Sequence, residues 1–278
     1  MIPSQSAIER ASITRPQLFA ALYSLGCANG LAVRMVWSIR EHGMLDATLG
    51  TFDISLILLA ACFAGVSFIS RDKCDAIRPA DVAVSVVFVA LLIVPVTSLS
   101  WLAVATLSLH ILFFSDSGEE GRRGAKIFLA SAVPMLLVPW LFALFSKAIL
   151  EADAVLVSWV LGTGRSGIFV EFADRSGLIA IYPGCSSLPN MALAFLCWVT
   201  VSQSVGHKWR AQDAVWLLLA VASVGAVNVA RMSVMGLHAS YYAALHNPAG
   251  NIPTNILILC FTIGFCVLGA RREIFQRS

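Results

Sequence analysis

Three residues in the C-terminal half carry side chains that combine into one chemistry. Cys185 stands in Tyr182-Pro-Gly-Cys-Ser-Ser-Leu-Pro-Asn190, Arg231 in Asn228-Val-Ala-Arg231, and His246 in His246-Asn-Pro-Ala-Gly250. A thiol becomes a strong nucleophile as the thiolate, which a neighbouring base or cation favours. A guanidinium can hold the oxyanion that forms when a carbonyl is attacked. The set supplies the roles that acyl transfer requires. Each member also has a plainer reading. Cys185 can be a loop cysteine packed under a hairpin, and Arg231 a buried cation paired with Glu171, Asp174 or Asp153. His238 competes with His246 for the acid–base role, although a histidine at a helix end often caps the last carbonyls.

The residues flanking Cys185 read as the start of a helix. Ser186 or Ser187 suits the N-cap, and Pro189 suits the first turn. A thiol there feels the positive end of the helix dipole. The free N–H groups of that first turn read as oxyanion donors, and Gly184 leaves room for a substrate backbone. Asn228, three residues before Arg231, shares a helical face with it and with His238. Gly184, Ser186 and Asn228 are therefore the expected substrate-binding residues.

What must position these groups is a membrane-embedded chain. Of its 278 residues 58% are hydrophobic and only 13% charged, and the mean hydropathy is +0.82. Those values exclude a soluble globular enzyme, a disordered chain and a nucleic-acid binder. The seven cysteines are scattered, without a C-x-x-C pair or ligand-like spacing. No disulfide framework or zinc site is expected.

Apolar runs at 16–37, 54–70, 82–96, 100–115, 127–147, 188–205, 214–238 and 256–270 predict about eight spans. Pro134 and Pro139 should kink the fifth. Most Lys and Arg residues fall at 10–15, 71–78, 122–126, 208–210 and 271–277, at alternate ends of this ladder. By the positive-inside rule both termini are cytoplasmic, and segments 38–53, 148–187 and 239–255 lie outside. Within the middle segment, 148–161 reads as an interfacial helix. Residues 168–172 and 178–182 around a turn at 173–177 read as a β-hairpin. The expected fold is one integral membrane domain, 1–278. It is an all-α polytopic bundle of about eight transmembrane helices with a small extracytoplasmic β-hairpin. His110 then falls in a span and His207 on the cytoplasmic face.

A cysteine at the mouth of one span, N-x-x-R in the next and H-x3-G after it resemble the exosortase/archaeosortase family. The matching residues are Cys185-Ser186-Ser187, Asn228 to Arg231 and His246 to Gly250. The resemblance covers about 148–270. It departs at Ser187, where the family usually has glycine. It implies a cysteine transpeptidase of a prokaryotic cytoplasmic membrane, with its site on the outer side and no cofactor. Its substrates would be exported proteins with a short C-terminal motif (Pro-Glu-Pro in the PEP-CTERM type), a hydrophobic span and a basic tail. Cys185 would form the thioester, His246 would manage protons and Arg231 would steady the oxyanion. A nucleophile of the cell surface, its identity open, would accept the protein; water instead would make the chain a protease.

Other classes remain on sequence grounds. A small-molecule transporter would use Asn228, Arg231 and His238 to line a polar path. A non-catalytic assembly factor would dock a partner on the outer hairpin. Against a transporter, the ionisable residues gather at one surface and no repeated halves are visible.

Overall fold

Long apolar runs with few breakers must satisfy their backbone internally, and they do so as helices. The computed structural model describes residues 13–49, 54–74, 76–94, 96–245 and 248–270. The packing divides into two compact units, residues 1–135 and 136–278.

The first unit holds α1 (Arg15–Leu49), α2 (Leu56–Ser70), α3 (Pro79–Ile93), α4 (Thr97–Phe113) and α5 (Glu119–Ala132). Residues 38–49, expected as an outer loop, continue the first helix instead. They contain no proline, and Gly43 absorbs a break there with φ 79°. Ser55 caps α2 by accepting the Ile57 N–H at 3.3 Å. Pro79 opens α3, and Asp81 reaches back to accept the Arg78 N–H at 2.9 Å.

Asp81 is also the polar pin of this unit. The Arg15 guanidinium lies along it, with Nη2 donating to Oδ1 at 2.9 Å and Nε 2.8 Å from Oδ2. His110 Nε2 meets the same Oδ1 at 2.8 Å. Arg15 further donates to the Ser115 hydroxyl. All three charged or ionisable groups are buried, so α1, α3 and α4 are joined through one carboxylate. Elsewhere close packing rests on missing side chains. A Cβ on Gly124 would come within 2.8 Å of the Gly65 carbonyl, so α2 and α5 cross at backbone contact.

The second unit begins in the π-helical turn Val133–Leu137. That turn contains Pro134, and Pro139 follows in the first turn of α6 (Val138–Leu161). Each proline removes an N–H from the ladder, and the turn widens accordingly. A second break at Phe145 (φ −129°, ψ 22°) precedes the segment expected as the interfacial helix, which ends at left-handed Gly162. Where a two-stranded hairpin is expected, three short antiparallel strands form: β1 (Arg165–Ser166), β2 (Phe169–Glu171) and β3 (Leu178–Ala180). Val170 pairs with Ile179, and both are buried. The 3-10 turn Pro183–Cys185 leads into α7 (Ser187–Ser204).

Next come α8 (Ala211–Leu237), α9 (Ala239–Leu245) and α10 (Pro248–Gly269). Much of 239–255, expected as an outer loop, is therefore helical. Pro248 sits at a first helical position, where proline is tolerated. The start of α8 repeats the device of α3. Asp213 accepts the Arg210 N–H, and His207 Nε2 lies 2.8 Å from Asp213 Oδ2.

The distribution of polarity is inverted relative to a soluble protein. Phe63, Ile93, Leu144 and Trp159 are exposed, whereas Asp81, Asp153, Asp213 and Asn228 are buried. The helices at Arg15–Glu41, Glu119–Leu161 and Ala211–Leu237 are long and apolar enough to cross a membrane. Four shorter apolar helices accompany them: Leu56–Ser70, Pro79–Ile93, Thr97–Phe113 and Pro253–Gly269. This helical, outwardly apolar chain is compatible with an integral membrane protein.

Replacing Asp81 by Ala leaves the Arg15 guanidinium buried without its carboxylate. The expected cost is about 3–5 kcal/mol, the usual result of removing one member of a buried ion pair. Unfolding in mixed micelles, followed by circular dichroism, measures it; an unshifted midpoint would show that the pin does not hold the unit.

Candidate active site

A helix that starts inside a protein must find partners for its first N–H groups. In α7 that requirement organises the site. Ser186 is the N-cap: its hydroxyl accepts the Leu188 N–H at 3.4 Å and donates to Asp153 Oδ2 at 2.7 Å. The Ser187 N–H donates to the same Asp153 oxygen at 3.2 Å. From the other side Asn228 Nδ2 donates to the Cys185 carbonyl at 2.7 Å and to Ser187 Oγ at 3.1 Å. Asp153, Ser186, Ser187 and Asn228 are all buried. The turn carrying Cys185 is thus clamped between α6 and α8.

Cys185 is 9% exposed. It belongs to one buried cluster with Val170, Ile179 and Ile181, and with Val229 and Met232 of α8. Arg231 sits one turn from Asn228, half-buried and within electrostatic reach of Cys185. Its Nη2 donates to the Leu245 carbonyl at 3.4 Å, and Leu245 packs against the cluster that contains Cys185. Cys185, Ser186, Asn228 and Arg231 therefore meet, although they come from two distant stretches of chain. Gly184 is exposed beside Cys185, and a Cβ there would touch nothing within 4 Å. His246 lies outside the described residues.

Three local expectations change. First, the N–H groups foreseen as free oxyanion donors already have acceptors. Cys185 donates to Tyr182, Ser186 to Pro183, Ser187 to Asp153 and Leu188 to Ser186; Pro189 has no N–H. Second, Asp153, one of three carboxylates considered as partners of Arg231, instead faces the α7 N-terminus, where a carboxylate suits the dipole. Third, His238 is tied into a turn. Its Nδ1 accepts the Ser240 N–H at 3.1 Å, and its Nε2 lies 3.4 Å from Asp174 Oδ2.

The Asp174 carboxyl titrates below its ordinary value, chiefly through hydrogen bonds from Ser176, with His238 adding to the effect. That contribution to the β2–β3 turn is present at neutral pH. It disappears on acidification through the lowered value.

Asp153 is a site residue that sequence spacing alone does not single out. Its signal was present, since an acidic residue in an apolar helix needs donors, but which donors it meets is a matter of packing. Ser187, an N-cap candidate and a departure from a family pattern in the sequence, bonds through both its backbone and its side chain. Among the described residues no cluster of His, Cys, Asp and Glu is arranged to hold a metal. No family model matches the chain, and neither does a curated protein or a solved structure.

The clamp makes a measurable demand. Asn228→Ala removes donors from the Cys185 carbonyl and from Ser187, at an expected cost of about 1–3 kcal/mol. Alkylation of Cys185 by a water-soluble maleimide should accelerate by about tenfold as the turn loosens. Mass spectrometry of the Cys185 peptide gives the rate; equal rates in both proteins would assign the hold on the turn elsewhere.

Proposed function

We propose that this chain is a cysteine transpeptidase of the exosortase/archaeosortase type, acting on C-terminal tails of exported proteins. The observation that carries the reading is the meeting of Cys185, Asn228 and Arg231, whose residue types and order are those of that family's motifs. In this reading about eight helices span a prokaryotic cytoplasmic membrane. Both termini are cytoplasmic, and the Cys185 turn with its sheet lies on the outer side, as the alternation of Lys and Arg favours.

The Cys185 thiolate attacks the scissile carbonyl carbon, and the C=O pair moves onto oxygen. Collapse breaks the C–N bond, the amine of the tail leaves with a proton, and a thioester remains. A second nucleophile attacks that carbonyl and expels the thiolate. Transfer results if it is a surface acceptor, and hydrolysis if it is water.

Because the first N–H groups of α7 are taken up, Arg231 is the residue that meets the developing oxyanion. Asp153 offsets the dipole of α7 there, so in this scheme the positive charge facing the sulfur is that of Arg231. Asn228 and Ser186 hold the turn rigid, and the open side of Gly184 admits the substrate backbone. His246 carries the proton in this scheme, on the strength of its motif. His238, whose Nε2 lies 3.4 Å from Asp174 Oδ2, is the alternative carrier of that proton.

The test is processing of a co-expressed protein bearing a motif, an apolar span and a basic end. Wild type should release a shortened product, with added mass if transfer occurs. Cys185→Ala should release none, and Arg231→Ala should lose roughly 10²–10³-fold in rate, the scale of an oxyanion contact. Processing that persists in Cys185→Ala, or unprocessed substrate in wild type across several tails, would sink the proposal.

A further inference from the structure

The second unit carries a groove of about 670 Å3 lined by α6, the first turn of α7, and α8. Leu156 and Trp159 form one wall, and Met191 belongs to another. Along α8 the lining includes Ala222, Ala226 and Ala230, spaced four residues apart. Such spacing places three methyl groups in a strip roughly 12 Å long. A strip this shallow lets the backbone of another helix approach closely.

A second observation gives the groove a polar end. Asp153 lines it and is 6% exposed. Both hydrogen bonds of its carboxylate, from Ser186 and Ser187, go to Oδ2. Among the described residues nothing donates to Oδ1. Oδ1 is left open to the groove, where a donor carried on an apolar body would complement its charge. An apolar helix is such a body. Its first N–H groups lack internal partners and form the positive end of its dipole.

We propose that this groove seats the apolar span of the tailed substrate, with the N-terminal end of that span against Asp153. The inference rests on the transpeptidase reading and adds the surface that reads the tail. Asp153 already binds the two residues that follow Cys185, so a span ending there delivers the segment just before it to the thiol. That segment is the one to be cut.

The experiment uses the full chain in native membranes with a co-expressed tailed substrate. In a Cys185→Ala background, Ala226→Cys is paired with single cysteines in the first two turns of the substrate's span, and the membranes are oxidised with copper phenanthroline. Phe261→Cys, an exposed apolar position on α10, is the control. The expected result is a disulfide-linked product with Ala226→Cys and none with Phe261→Cys. In the active enzyme, Ala226→Trp fills the groove and should slow processing by about tenfold or more. If that variant fails to accumulate, the cross-link alone decides.

Wild-type processing combined with no Ala226→Cys product, or with a product joining two copies of this chain, would overturn the groove assignment and leave the enzyme reading intact. Absence of processing by wild type on any tail would remove both.

Discussion

The second unit depends on one electrostatic requirement: the buried first turn of α7 must have its N–H groups satisfied. Asp153 and the N-cap Ser186 meet that requirement from one side. Asn228 closes the arrangement from the other by gripping the Cys185 carbonyl and the Ser187 hydroxyl. Bonds of this kind gain strength where water is absent, and an unmade one costs correspondingly more. The turn carrying Cys185 therefore has little freedom, and its rigidity comes from backbone satisfaction as much as from side-chain packing.

The same arrangement limits which chemistry the turn can perform. A helix N-terminus with unsatisfied N–H groups is an anion site. Here a carboxylate already occupies that position, and the local N–H groups have acceptors. Among the described residues Arg231 is a cation within electrostatic reach of Cys185, and its guanidinium also donates to the Leu245 carbonyl. In the proposed mechanism thiolate and oxyanion thus depend on a side chain of α8, and not on the helix that follows the cysteine.

The two units share a local device. In Arg78-Pro-Ala-Asp81 and Arg210-Ala-Gln-Asp213 an aspartate in the first turn accepts the N–H of the arginine three residues before it. A histidine nitrogen approaches each aspartate at 2.8 Å. Both carboxylates are buried. Asp81 therefore serves its own helix start and α4 together, whereas Asp213 holds the segment that leads into α8. Asp81 extends the device by taking Arg15 as well, which ties α1 into the first unit.

Much of this protein was legible without coordinates. Hydropathy determined that the chain is helical and apolar on its outside, because backbone groups away from water can be satisfied only within helices or closed sheets. Proline placed the irregular turn at Val133–Leu137, and Ser186 with Pro189 announced the start of α7, since these signals act over three or four residues. Segments 38–49 and 239–245 read as loops yet are helical, because moderate polarity separates helix from loop poorly, even with Gly43 in the first of them. Tertiary structure alone decided which acceptor each buried donor meets. It assigned Asp153 to the α7 N-terminus instead of to Arg231, gave Ser187 a bonding role, and took up the N–H groups that seemed free. Partner choice among buried polar groups is a long-range competition settled by packing geometry, and one-dimensional spacing does not encode it.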